Sequence, residues 1–427
     1  MSCKLIRNGV LSLLLTGLCA AALANTTAVP APLHFTANDI TIYPALVTEG
    51  DSTGSDLAEG GAILEAVPEP YREVLPSHEL PPLGGAPTGP LRVALLLPLQ
   101  SDALREMAES VRAGFNAARQ TDRDPSISVS VIQTSDNPQD ILAAYSAALP
   151  SHEVIVGPAT RSSVTALANS GLVTKPTLAL AQPDEGVRLP AQVLSMGMSL
   201  EDEARQVAAW AADEGRTQRA FVIATNSAWQ RRVARAFMQE VQSRGGRATL
   251  VDVLTAGAYL DPNNLVVLRN RLKQDQPTMI FMALDATQAR QVREAIGTEI
   301  PQFGTSQVNP LPYQQQEEPE RVPFMEGVRL VDMPWQLQPD HTAVMVYPRV
   351  PQVPGQQRTA NVERFYALGI DAYRIAREIG RGRTSFELDG VSGRLLVYFG
   401  GNVSRVERVA VPAAYRDGIV VPLDMQR

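Results

Sequence analysis

The chain has 427 residues, 44% of them hydrophobic and 19% charged, with 32 prolines and 30 glycines. That length suits two or three domains, and the apolar content excludes a wholly disordered chain. A net charge of −7 argues against nucleic acid as the main partner. Outside the N-terminus no run of about 18 apolar residues occurs, so no internal membrane span is expected.

Residues 1–24 read as a targeting segment. Lys4 and Arg7 precede the apolar stretch 10–18, and Ala22-Leu23-Ala24 has the small-x-small form of a cleavage site. Both cysteines, Cys3 and Cys19, fall in this segment. Cleavage after Ala24 therefore leaves a cysteine-free chain, without disulfides, thiolate catalysis or Cys-based zinc sites. Export without disulfides suits a bacterial periplasm. The competing reading makes Cys19 a lipid acceptor, although Leu18 stands where such sites carry a small residue. Residues 25–90 follow with ten prolines, seven glycines, and nine acids against one arginine. Such a stretch cannot bury enough apolar surface to offset ordering entropy, so a disordered acidic tether is expected.

From Leu91 the pattern becomes that of a folded α/β unit. Residues 91–98 (Leu-Arg-Val-Ala-Leu-Leu-Leu-Pro) read as a buried parallel strand stopped by proline. A helix opened by Ser101 follows, with Leu104, Met107, Ala108, Val111 and Phe115 at helical spacing. Strands are expected at 127–132, 153–156 and 177–180, with helices at 140–149 and 160–169. The rhythm restarts at 199. Helices are expected at 199–213, 228–244, 262–273 and 287–296, and strands at 219–224, 248–253, 278–284, 302–304 and 327–332. A helix at 362–379 and a hairpin of 393–399 with 403–411, turned at Gly400-Gly401-Asn402, complete the chain.

The fold class expected is α/β with two lobes. Each lobe is a mostly parallel sheet flanked by helices, and several crossovers join them. Lobe one would take about 91–195 plus part of 335–427, and lobe two about 199–332. Several connecting strands between two lobes make a hinged cleft.

Little in the sequence supports reactive chemistry. The four histidines, His34, His78, His152 and His341, form no metal-ligand spacing. No nucleophile elbow, P-loop or dinucleotide fingerprint is present. Neither cofactor nor metal is expected, and a non-enzymatic role is. Glu201, Asp202 and Glu203 open a helix, where acids favour the macrodipole. Ligands of open α/β sheets bind outside the C-terminal ends of strands. The candidate cleft residues are therefore Gly157, Thr160 and Ser162, then Gln182, Asn226, Trp229, Asp285, Thr305 and Ser306. Each has a plain structural alternative: Ser, Thr, Asn and Asp are preferred helix caps, and Trp229 suits a core.

Several segments resemble a known family. They are Val93-Ala-Leu-Leu-Leu-Pro-Leu99, Val111-Arg-Ala-Gly-Phe115, Ile155-Val-Gly-Pro158, Leu200-Glu-Asp-Glu-Ala-Arg205 and Asn226-Ser-Ala-Trp229. To these are added Arg232-Val-Ala-Arg-Ala-Phe237, Ala289-Arg290, Gly327-Val-Arg-Leu-Val-Asp-Met-Pro-Trp335, Ala367-Leu-Gly-Ile-Asp-Ala-Tyr373 and Leu388-Asp-Gly-Val-Ser-Gly-Arg394. Over about 91–412 the series is similar to the C-terminal domain of the penicillin-binding-protein activators, the LppC/LpoA-type lipoproteins. That resemblance implies a type I periplasmic-binding-protein fold. It also implies a regulator in the periplasm, attached to the inner face of the outer membrane. There it would bind a class A penicillin-binding protein and stimulate peptidoglycan synthesis. Membrane contact would then come only through a lipid on Cys19. The loops 312–323 and 347–358 are candidate contact surfaces. The alternative on the same fold is the solute-binding protein of an amino-acid-type ABC transporter. In it Asp285 and the 157–163 segment would hold a zwitterion, and Trp229 would wall it; a peptidoglycan fragment is a further cleft ligand to consider.

Overall fold

The computed structural model describes residues 89–310, 321–350, 359–401 and 404–423. The targeting segment with Cys19, the expected tether, most of the two long loops and part of the 400–402 turn lie outside the described residues.

Lobe one opens with β1 (Leu91–Leu97), α1 (Arg105–Asp122), β2 (Ile127–Gln133), α2 (Pro138–Ala148), β3 (Val154–Val156), α3 (Arg161–Asn169), β4 (Thr177–Ala179) and β5 (Val193–Ser195). All five strands run parallel in the order β2-β1-β3-β4-β5. The interior strand β1 is apolar and buried at every position except Arg92, as a strand covered on both faces must be. The first helix begins at Arg105, not at Ser101. Residues 102–104 form a turn, and Ser101 bonds Asp136 through its hydroxyl instead of capping the helix.

Lobe two carries α4 (Leu200–Asp213), β6 (Ala220–Ala224), α5 (Ala228–Ser243), β7 (Ala248–Asp252), a small β8–β9 hairpin (Thr255–Ala256, Tyr259–Leu260), α6 (Pro262–Asp275), β10 (Met279–Met282), α7 (Ala286–Ile296), β11 (Gln302–Gly304) and β12 (Arg329–Asp332). Its sheet reads β7-β6-β10-β11-β12 with parallel pairing.

The chain then returns to lobe one. Two short helices, α8 (Pro334–Leu337) and α9 (Thr342–Met345), lead to the long α10 (Ala360–Gly380). A three-stranded antiparallel sheet follows, β13 (Ser385–Asp389), β14 (Arg394–Tyr398) and β15 (Arg405–Val409). The expected strand 403–411 is two strands. The chain leaves the small sheet at Ala410 and enters the lobe-two sheet as β16 (Val411–Arg416). There β16 pairs antiparallel with β12 and with β17 (Ile419–Pro422). Alternation in Arg405–Val409 gives way here to the more apolar Val-Pro-Ala-Ala-Tyr run of β16. What separates them is Ala410, whose N–H donates to the Gln206 side chain on α4 rather than to a strand. Three crossovers thus connect the lobes, near 196–199, 332–335 and 409–411.

Lobe one's core is built by α10 against β1, β3 and α1. The two helices touch backbone to backbone. A Cβ on Gly114 of α1 would lie 1.9 Å from the Tyr366 carbonyl oxygen, and one on Gly369 of α10 would lie 2.1 Å from that of Val111. Only glycine at both positions permits this approach. Phe115 and Tyr373 then meet edge to face, ring centroids 5.3 Å apart. In lobe two, Trp229, Phe237 and Phe281 fill one side of the sheet, and the last two stack at 4.0 Å.

Candidate functional site

Where the lobes meet, the three crossovers are tied by buried polar groups. Asp332 ends β12 and is almost wholly buried, as is Arg364 on α10. The guanidinium meets the carboxylate at 2.8 and 3.3 Å, and its Nη2 also donates to the Ser306 and Asn309 carbonyls. Asp332 further accepts from the Asn309 amide and the Met333 N–H, both at 2.9 Å. Beside it, buried Glu203 accepts from the Ser306 N–H at 2.9 Å and lies 3.7 Å from Arg408 of β15. Burial pushes the Glu203 carboxyl above its ordinary range, and Arg408 opposes that only in part. Gln206, one turn further along α4, donates to the Arg408 carbonyl and accepts from Ala410 N–H. A buried charge needs a partner and further hydrogen bonds, and here the partners come from all three crossovers.

The second crossover is held from the lobe-one side as well. The Trp335 N–H donates to the Val391 carbonyl, and its indole N–H donates to Glu363. The Arg349 guanidinium lies over the indole at 4.2 Å. Asp371 of α10 fixes the turn after β13 by accepting from Val391 N–H, Ser392 N–H and the Ser392 hydroxyl. The segments Leu200–Arg205, Gly327–Trp335, Ala367–Tyr373 and Leu388–Arg394 therefore converge as a scaffold for the hinge.

Outside this knot lies a groove of about 240 Å³ between the lobes. Lobe one contributes Arg161, Gln182, Pro183 and Glu185. Lobe two contributes Glu201 and Arg205 from α4, and Arg232, Arg235 and Gln239 from α5. Two ionic straps cross it. Glu201 Oε1 receives Arg161 at 3.3 Å and Arg232 at 3.0 Å, and Arg235 meets Glu185 at 2.7 Å. Asp202 pairs locally with Arg205. Four arginines against Glu185, Glu201 and Asp202 leave one positive charge in surplus. The N-termini of α3 and α4 border the same space and favour negative charge there. The arrangement can hold the lobes together and attract an anionic group. Among the described residues, no group of three or more His, Cys, Asp or Glu side chains is placed to hold a metal ion.

Of the nine cleft residues expected from sequence, Gln182 lines this groove. Gly157 follows β3 with φ +115°, and a Cβ there would lie 2.4 Å from the Leu96 carbonyl oxygen, so glycine is required for packing. Thr160 is buried as the cap of α3, accepting from Ser163 N–H. Ser162 and Asn226 are exposed, the first at the start of α3 and the second after β6. Trp229 is core. Asp285 caps α7 by accepting from Gln288 N–H at 2.9 Å, and burial raises its carboxyl above the usual range. Thr305 caps the short turn 306–308, and Ser306 joins the knot through its backbone.

Sequence placed Arg161, Glu201, Glu203, Arg232, Arg235 and Asp332 inside segments that carry the family resemblance or a strand end, without assigning them a contact; Arg364 and Arg408 had no such signal. The acids 201–203 do three different jobs: an inter-lobe strap, a local pair and a buried hinge contact.

A family model described as "LppC putative lipoprotein" matches residues 86–418. A curated relative from Photobacterium profundum, named penicillin-binding protein activator LpoA, is 24% identical over 337 residues. That alignment takes in 71% of this chain and 52% of the relative, so the chain spans about half the length of that protein. Among solved structures, a Chromobacterium violaceum protein described as a "putative branched-chain amino acid ABC transporter" is 33% identical. The match covers 76% of this chain and all of that one, with a TM-score of 0.61. The Haemophilus influenzae LpoA C-domain, described as a regulator of PBP1A, is 21% identical with a TM-score of 0.60, covering 78% of this chain and 99% of that one. Together the two solved structures show the fold: a two-lobed type I periplasmic-binding-protein-like body.

Proposed function

Since the chain belongs to the LppC family, we propose that it is a non-enzymatic periplasmic regulator that binds a class A penicillin-binding protein and promotes peptidoglycan synthesis. The carrying observation is the family match, which runs through almost the whole two-lobed body. The curated relatives named as penicillin-binding protein activators point the same way. The groove suits a body that acts through its outer surface, because charged side chains bridge it from lobe to lobe. The protein would reach its partner from the inner face of the outer membrane if Cys19 carries a lipid, or freely if the chain starts at Asn25. Mass spectrometry of the mature N-terminus separates these two cases. No helix among the described residues is long and apolar enough to cross a membrane.

The test is a binding and cross-linking assay with the class A synthases of the same organism. Binding with increased cross-linked product is expected. Failure to bind or stimulate any of them refutes the reading.

One observation favours a second reading. The 33% identical relative is described as a transporter component. In that case Gln182, which lines the groove, and the exposed Ser162 and Asn226 would make the first ligand contacts, with Gly157, Thr160, Trp229, Asp285, Thr305 and Ser306 behind them. Calorimetry against amino acids and muropeptides discriminates, since micromolar binding of a small molecule supports the second reading and its absence the first.

A further inference from the structure

The edges of the sheets are not treated alike. An exposed strand edge is a template for another strand, and proteins blunt such edges with charge, proline or shortness. Here β13 carries Glu387 and Asp389, and β15 carries Arg405, Glu407 and Arg408. The edge strand β17 ends on Pro422, and β7 ends on Asp252, which is paired with Arg231. The edge strand β5 is only three residues long. By contrast, β2 is a seven-residue edge strand, Ile-Ser-Val-Ser-Val-Ile-Gln, with neither charge nor proline. At about 3.3 Å per residue it offers roughly 23 Å of edge.

The ladder with β1 shows which peptide groups are free. The Leu91 N–H donates to the Ser126 carbonyl, and Thr134 both donates to Leu97 and accepts from Gln100. Even-numbered residues of β2 therefore face β1. The peptide groups of Val129, Val131 and Gln133 point away from it, and no described residue bonds them. Val131 is 38% exposed on the same edge.

We propose that the β2 edge is a self-association seam, at which a second copy of this chain adds its own β2 antiparallel to form one continuous sheet. The strand is self-complementary. A two-fold axis at Ser130 sets Val129 opposite Val131 and Ser130 opposite itself, with no like charges within the strand. Antiparallel pairing also brings the start of one strand to the end of the other. Beyond the strand ends the same axis sets Asp136 near Asp124, whose carboxylate already meets Arg381 at 2.6 Å, with exposed Arg123 one residue further on. Strand addition to a foreign peptide draws its specificity from pockets for alternate side chains. The serines and small β-branched residues of β2 provide instead a flat surface that matches itself.

The test uses the full mature chain in sedimentation velocity between about 1 and 300 µM, a range suited to a small seam. A concentration-dependent monomer–dimer equilibrium is expected. Val131→Lys should weaken it at least tenfold while leaving the circular dichroism and melting temperature unchanged, and Val131→Thr should retain it. In a background with no other cysteine, Ser130→Cys should form an intermolecular disulfide on mild oxidation, because residues opposed across the axis lie within disulfide reach. Glu387→Cys on the charged edge should not. A chain that stays monomeric throughout, or a dimer insensitive to Val131→Lys, overturns the proposal. The same holds if Ser130→Cys combined with a cysteine placed in the upstream segment, such as Ser77→Cys, closes a disulfide within one chain, since the edge would then be internally occupied.

Discussion

Replacing Arg364 with alanine probes the knot at the hinge directly. The substitution leaves Asp332 buried, with the Asn309 amide and Met333 N–H still bonded but no opposite charge. It also strips the donor shared by the Ser306 and Asn309 carbonyls. Breaking a buried ion pair from one side costs about 3–5 kcal/mol. Unfolding entropy near 2.1 cal/mol/K per residue comes to roughly 0.7 kcal/mol/K for a body of this size, so Tm should fall by about 4–7 °C. Calorimetric melting at neutral pH measures this. The mechanism makes a second demand. Adding Asp332→Asn to the Arg364→Ala chain removes the orphaned charge, so stability should recover by about 1–3 kcal/mol rather than fall again. A single variant melting within about 1 °C of the parent, or a double variant less stable than the single, would refute the reasoning.

Further outcomes follow from other contacts. Gly369→Ala forces a Cβ to 2.1 Å from the Val111 carbonyl oxygen, so α1 and α10 must separate; a loss of about 2–4 kcal/mol is expected in urea unfolding. Glu203→Gln should reveal a pH dependence. The folded carboxyl holds its proton more tightly than the unfolded one, so its contribution is complete at acid pH and declines as pH rises through the raised value. The stability of the glutamine variant relative to the parent should therefore climb as pH rises from the ordinary carboxylate range toward neutrality, and a flat difference in paired melts would contradict the assignment. Glu201→Gln leaves Arg161 and Arg232 facing each other without their shared carboxylate. The lobes should part, seen as a larger radius of gyration in small-angle scattering at low salt and a smaller difference at high salt; identical profiles would show that the strap does not hold the groove.

Much of the architecture could be read along the chain. Buried parallel strands announce themselves as unbroken apolar runs, so β1, β6 and β10 were plain. The amphipathic helices α1 and α5 were equally clear from their stripes. Short elements were not: β5 and β13 are too brief or too mixed for periodicity to register, and the switch of sheet at Ala410 is set by its contact with Gln206, far away in the chain. At the site, Thr160, Asp285 and Thr305 carry the residue types that suit either a ligand or a helix cap, and the backbone N–H groups beside them settle their contacts as caps.

By itself the sequence determined the repeated α/β layout, because that follows from local composition and spacing. Only the tertiary structure decided that Arg364 meets Asp332, that Glu203 meets Arg408, that Gly114 and Gly369 share one helix crossing, and that β2 alone among the described longer edges is left without charge or proline. These are facts about residues far apart in the chain. Their pairing is set by which faces the fold brings together, and neither periodicity nor residue type encodes it.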